Sequence, residues 1–325
     1  MSAPFLSLGP WLRRTFGRPV HRVALDAGST CPNRDGTRGF GGCAFCDVEG
    51  SGTGAVRSGT ELAEQLERGI RRVRRRDAEP GVIAYFQSYS NTYVETARLR
   101  EVLSVVEPYL ADPIVAVSVA TRPDTLSEPA LECLSELSRR VAVWVELGLE
   151  AADDRILEAI HRFHTVDEYR DAVRRSQAAG LSVIGHAILG LPGDGREGAR
   201  RTARVMAETG VEGVKVHNLM VLRRTRFERD WRAGELEVLD ADTYVDWLAD
   251  FVERLHPEAV LHRLTADAPL AQRLAPRWDV HKNEVRERLA AELERRGTRQ
   301  GSLYRAPSNP AASGRVPEGP RAQAR

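Results

Sequence analysis

Six short, almost wholly apolar runs alternate with longer amphipathic segments along the first two thirds of the chain, and this alternation narrows the possible folds most. The runs fall at 21–26 (HRVALD), 82–87 (VIAYFQ), 114–119 (IVAVSV), 141–147 (VAVWVEL), 181–189 (LSVIGHAIL) and 213–219 (GVKVHNL). Continuous apolar runs of this length suit parallel strands covered on both faces. Helical patterns lie between them, at 59–76, 96–109, 128–139, 153–160 continuing to 165–179, and 196–209. Each is long enough for a right-handed crossover. Thr165 is placed to cap a helix that stops before Gly180. Six β-α units in series predict a parallel barrel or an open doubly wound sheet, and both carry their sites at the C-terminal ends of the strands.

The pattern changes after about residue 222. Residues 242–255 read as an aromatic-rich helix, 260–264 as a short strand and 280–295 as a charged amphipathic helix. This divides the chain into an N-terminal extension (1–19), a core (20–222), a C-terminal extension (223–305) and a tail (306–325) too poor in apolar residues to order. A formal net charge of +1 favours neither a nucleic acid nor a membrane surface. There is no apolar run of membrane-spanning length and no signal-peptide pattern, so the expected compartment is the cytoplasm, where thiols stay reduced. Arginine supplies nearly all the basic residues, with Lys215 and Lys282 the only lysines, so arginine runs carry little functional weight.

Against this background the stretch CPNRDGTRGFGGCAFC stands out, because it holds three of the four cysteines, Cys31, Cys43 and Cys46. It directly follows the first strand and so lies at the functional edge. A disulfide framework is ill suited to a cytosolic cluster of three. A structural zinc site closes with four ligands. Cys133, in LECLSEL, is spaced as a core residue of a helix. An iron–sulfur cluster held by three thiolates would leave one iron open, and an open position marks a catalytic centre. The glycines of the loop would let backbone wrap a bulky group.

The stretch VALDAGSTCPNRDGTRGFGGCAFC resembles the cluster loop of radical S-adenosylmethionine (radical SAM) enzymes, in particular the YhcC-like subfamily, related to elongator-type and coproporphyrinogen-dehydrogenase-type proteins. The motifs AYFQSYSNTY, VATRPD, VWVELGLEAADDRILEAIHRFHT, GHAILGLPGD, GVKVHNL and LHRL follow in the family's order. The resemblance implies an α/β fold, a partial (β/α)6 barrel with a small α-rich C-terminal extension. It implies a 4Fe-4S cluster on Cys31, Cys43 and Cys46, with SAM chelating the open iron and yielding a 5′-deoxyadenosyl radical. It also implies a reductant such as flavodoxin or ferredoxin.

Further positions carry over from the resemblance one at a time. Phe45 stands where relatives place an aromatic against adenine. Gln87 and Ser88 replace a glycine pair that receives the SAM amino group. Glu150 replaces a glutamine, and Arg162 matches an arginine that reaches the SAM carboxylate. His186 stands in place of an aspartate, Gly190 belongs to the GLPG turn, and Ala120 replaces a glutamate of elongator-type relatives. Glu146 faces either the site or a buried ion pair, since a lone carboxylate on an apolar strand is costly. Lys215 and His217 share one face of the sixth strand and are candidate proton donors.

One cysteine beyond the cluster is too few for an auxiliary cluster, so methylthiolation is not expected. The resemblance favours RNA, a tRNA wobble uridine, as substrate. A small metabolite or tetrapyrrole is the alternative within the same chemistry, and a non-catalytic zinc-type RNA-binding protein the alternative outside it. Two basic stretches, 68–77 (RGIRRVRRRD) and 222–232 (LRRTRFERDWR), are compatible with phosphate contacts, or are simply solvated faces.

Overall fold

The computed structural model describes residues 3–47, 55–56 and 58–306. All but the first residue of the tail expected to be disordered lies outside them. The strands are β1 (Val20–Leu25), β2 (Gly81–Phe86), β3 (Ile114–Thr121), β4 (Ala142–Glu150), β5 (Ser182–Leu189), β6 (Gly213–Asn218), β7 (Val221–Leu222), β8 (Val260–Arg263) and β9 (Arg273–Ala275). The helices are α1 (Leu8–Phe16), α2 (Leu62–Arg74), α3 (Thr96–Ser104), α4 (Glu128–Ser138), α5 (Asp154–Ala159), α6 (Val166–Ala178), α7 (Gly195–Glu208), α8 (Arg226–Arg232), α9 (Ala241–Val252) and α10 (Lys282–Arg295).

Seven strands pair in the order β1-β2-β3-β4-β5-β6-β8, all parallel, and the sheet curls into a partial barrel. The predicted six strands gain a seventh because the short run after residue 260 pairs with β6 instead of standing apart. A small antiparallel ribbon, β7 with β9, lies beside the main sheet. Helix boundaries follow local chemistry. Thr165 forms a full capping box with Glu168 at the start of α6, and Gly180 turns out of that helix at φ +81°. Cys133 packs into the apolar layer between sheet and helices, as its spacing predicts.

Side chains pointing into the barrel form layers. At the N-terminal end of the strands, Ile83, Ala116, Trp144, Ile184 and Val260 make an apolar floor that α1 closes with Trp11 and Leu12. The N-terminal extension is thus a plug, joined to the barrel by a bridge from Ser7 to Leu261. The next layer is polar and includes Glu146 and Lys215, both almost fully buried.

The two basic stretches part company here. Helix α2 runs back from the mouth, so the end of 68–77 lies near the floor, where Asp77 meets His21 at the start of β1 at 2.5 Å. Arg68 and Arg71 pair with Glu64 and Glu67 one turn away, and Arg74 pairs with Asp112. The stretch 222–232 instead follows β6 at the mouth and supplies the last residue of β7 and all of α8.

Candidate active site

The cysteine loop leaves β1 and folds on itself by backbone bonds. Arg34 N–H donates to Cys31 O at 2.8 Å, Cys46 N–H to Cys43 O at 3.0 Å and Gly42 N–H to Asn33 O at 2.8 Å. Ala44 pins it on both sides: its N–H donates to Ile160 O (2.9 Å) and its carbonyl accepts from Phe227 N–H (3.1 Å). Gly42 has φ +84°, and a Cβ there would stand 2.9 Å from the Arg34 guanidinium.

Cys31, Cys43 and Cys46 border one cavity of about 330 Å³ at the mouth of the barrel. The sulfurs receive donors. Asn33 Nδ2 stands 3.4 Å and Arg162 Nη1 3.8 Å from Cys43 Sγ, and Arg34 Nη2 stands 3.3 Å from Cys46 Sγ. Burial pushes the Cys46 thiol up to about 11, against the pull of Arg34, and raises Cys31 in the same direction. A coordinated thiol is deprotonated by its metal, so this burial does not oppose ligation. Among the described residues no three His, Cys, Asp or Glu side chains form a group able to hold one metal ion. Three thiols around one cavity, with N–H donors on two of the sulfurs, fit a multi-iron cluster better than a single ion.

Of the other predicted site residues, Phe45, Gln87, Glu146, Glu150, Arg162, His186 and His217 border the same cavity. Ser88 and Gly190 do not. Ser88 is fully buried, with Oγ unpartnered, and Gly190 turns at φ +90° against Leu239. Lys215 sits one layer deeper, 1% exposed, with its ammonium on Glu146 and 4.2 Å from the Tyr85 ring centroid.

Glu146 is a buried ion-pair partner, with both carboxylate oxygens engaged. Ser118 Oγ donates to Oε1 at 2.5 Å, while Oε2 takes Lys215 and lies 2.8 Å from His186 Nε2. Burial opposes its charge, yet Lys215 and His186 hold it well below the ordinary carboxylate range. Of the two roles that the sequence leaves open for Glu146, these contacts form the ion pair, and the residue also borders the cavity. Burial lowers Lys215 to about 7 against the pull of Glu146, and it drives His217 well below its usual value with help from Arg263.

Arg162 lies under the loop. Its Nη2 donates to Gly148 O at 3.0 Å and is 3.4 Å from Glu150 Oε1, while Nε is buried without a partner. Burial disfavours its charge, but Glu150 and the cysteines together raise its pKa. His164 donates from Nε2 to the same Gly148 carbonyl at 2.9 Å, and burial beside Arg162 and Arg122 lowers it to about 3.

Sequence reasoning missed four residues. Gly148 is required because a Cβ would stand 2.3 Å from Arg162 Nη2 and 2.4 Å from Glu150 Oε1. A glycine inside an apolar strand was the available signal. Asn33 and Arg34 lie in the long gap of the cysteine spacing, where nothing local distinguishes a sulfur donor from a loop residue. Arg122 grips Asp124 through two 2.8 Å bonds, donates to Arg162 O at 2.7 Å and keeps Nη1 buried and unpartnered at the cavity.

Comparison with known proteins agrees with this arrangement. Residues 30–206 match the Radical SAM superfamily and residues 211–295 the Radical_SAM C-terminal domain. The chain is 38% identical over 293 residues to the uncharacterized protein YtqA of Bacillus subtilis, covering 90% of each. It is 35% identical over 268 residues to protein YhcC of Escherichia coli, covering 82% of this chain and 85% of that one. A tRNA uridine(34) acetyltransferase of Dehalococcoides mccartyi is 26% identical over 216 residues, 66% of this chain and 44% of that protein. The solved structure of Elp3 from Methanocaldococcus infernus shares the fold, with a TM-score of 0.68 at 17% identity over 86% of this chain and 64% of that one. A parallel half-barrel with three cysteines at its mouth, matched over more than half its length, belongs to the radical SAM superfamily, whose enzymes use a 4Fe-4S cluster and S-adenosylmethionine.

Proposed function

We propose that this radical SAM enzyme modifies RNA, with a tRNA wobble uridine as its target. The observation that carries the reading is the position of the arginine-rich segment 222–232. It holds the cysteine loop through Phe227 and exposes Arg223, Arg224, Arg226 and Arg229 beside the cavity. Phe40, 81% exposed on the loop itself, adds an aromatic face of the kind on which unpaired bases stack. The partial likeness to a tRNA uridine(34) acetyltransferase supports the same substrate class.

Within this reading Cys31, Cys43 and Cys46 hold the cluster. Phe45, Gln87, Glu150, Arg162 and His186 contact SAM, with Arg162 suited to its carboxylate. When bound, the cluster and SAM supply a reductive cleavage whose radical product abstracts hydrogen from the substrate. His217, facing the cavity, and Lys215, one layer deeper, hold the protons that turnover needs. A Lys215→Met protein with unchanged substrate turnover would remove Lys215 from that role. Flavodoxin or ferredoxin is the expected electron donor.

The test has two stages. Anaerobically purified protein is expected to be brown, to carry about four irons per chain and to form 5′-deoxyadenosine under reductant. A colourless zinc protein would defeat the enzyme reading. Nucleoside analysis of total tRNA from cells with and without the protein then tests the substrate, and an unchanged profile would transfer the reading to a small metabolite or tetrapyrrole.

A further inference from the structure

The two sides of the cavity differ in charge balance. On the loop side each guanidinium faces a partner of opposite character: Arg162 has Glu150 at 3.4 Å, Arg122 has Asp124 at 2.8 Å, and Arg34 has the Cys46 sulfur at 3.3 Å. On the barrel side, Arg22 and Arg263 add positive charge to a layer in which Lys215 is already paired with Glu146. Glu146 is already engaged by Ser118, His186 and Lys215.

Arg263, at the end of β8 and in register with Lys215, borders the cavity. Among the described residues its guanidinium makes no hydrogen bond and no ion pair. His217 borders the cavity too, and its Nε2 is buried and unpartnered. Asp267 at the mouth is exposed and forms no ion pair with Arg263 among the described residues. An uncompensated positive charge at the cavity and an unpaired buried donor are both costly, and one bound oxyanion relieves both.

We infer that the substrate enters with an oxyanion, a carboxylate or a phosphate, seated on Arg263 and accepting a hydrogen bond from His217 Nε2. This rests on the reading that the cavity is the reaction chamber. Arg263 is then a specificity-determining residue supplied by the seventh strand. The SAM carboxylate is assigned to Arg162 on the opposite, loop side and leaves this position to the substrate.

The experiment uses cluster-loaded protein with SAM present, so that the SAM site is filled. Thermal unfolding is followed against added sodium acetate and sodium phosphate, with sodium chloride holding ionic strength constant. A saturable rise in midpoint with at least one of the two anions, beyond the effect of chloride, is expected. A response to acetate alone marks a carboxylated substrate, and to phosphate alone a phosphorylated one. In Arg263→Met the apparent affinity for the anion falls about tenfold or more, while the anion-free midpoint is no lower than wild type, because an uncompensated charge has gone. Arg263→Lys retains a weaker response, and Arg71→Gln, away from the mouth, a full one. The inference is overturned if both anions act like chloride, if Arg263→Met responds as wild type, or if its anion-free midpoint drops as for a structural arginine. Formation of 5′-deoxyadenosine in the same preparations tests the radical SAM reading separately, and it persists if only the oxyanion inference fails.

Discussion

The two ends of the barrel are made from the same strands and do opposite work. At the floor, alternate residues are Trp144, Ile83, Ala116 and Ile184, and α1 covers them with Trp11. The arginines near this end are matched by surface carboxylates, as Arg74 and Arg18 are by Asp112. Two positions further toward the mouth along those strands the side chains, Glu146, Tyr85, Ser118 and His186, carry polar groups. Buried groups such as Arg122 Nη1, Arg162 Nε and His217 Nε2 stay without partners on residues that border the cavity, whereas the unpartnered Trp144 Nε1 belongs to the enclosed floor. A closed, apolar end supplies stability, and an end with unmet hydrogen-bonding capacity is built for a ligand.

The contrast can be broken most completely at the loop. Cys43→Ala is expected to lose all bound iron and all SAM cleavage while leaving the far-ultraviolet circular dichroism of the metal-free chain unchanged. Iron analysis together with the dichroism checks both halves. Trp144→Ala is the mirror experiment. It should cost about 3–5 kcal/mol of stability, read from urea denaturation, because it opens a void in the floor, with the remaining folded fraction still binding iron.

A third test uses pH at the mouth. His164 is held to about 3, whereas an unfolded histidine titrates near 6.5. Between those values the unfolded chain takes up a proton that the folded chain refuses, so stability falls as pH drops through this window. The slope from this one residue is at most about 1.4 kcal/mol per pH unit. His164→Gln, which keeps a donor for Gly148 O, should flatten that part of the urea-midpoint profile; an unaltered profile would show that His164 is not the group responsible.

The smallest effects compare the two arginine-rich stretches. Arg223→Gln with Arg226→Gln should lower the salt dependence of tRNA binding by about two counterions. Arg71→Gln with Arg74→Gln should leave it alone and change stability by less than about 0.5 kcal/mol per pair. Equal effects from both pairs would mean that RNA does not approach the mouth preferentially.

Much of this was legible in the chain. Apolar runs of six to nine residues separated by helical periods specify parallel strands and their order, because consecutive β-α units add side by side. The cysteine spacing locates the loop at the strand ends. The seventh strand was harder to place, since four residues (VLHR) pair with β6 only once the extension has folded back. That Ser88 and Gly190 do not border the cavity has a related reason: adjacency to a strand end does not tell which way a side chain turns when the backbone leaves the sheet.

The sequence by itself determined the type of sheet, the cysteine loop and the kind of chemistry a three-thiolate site with an open position supports, since these depend on local period and ligand count. Tertiary structure decided which charges meet. Glu146 and Lys215 are 69 positions apart yet form a buried ion pair, and the Arg122 guanidinium meets the backbone carbonyl of Arg162 across 40 positions. It also sent one arginine-rich stretch to the floor and the other to the mouth. Electrostatic interaction depends on distance through space and on burial, and neither can be read along the chain.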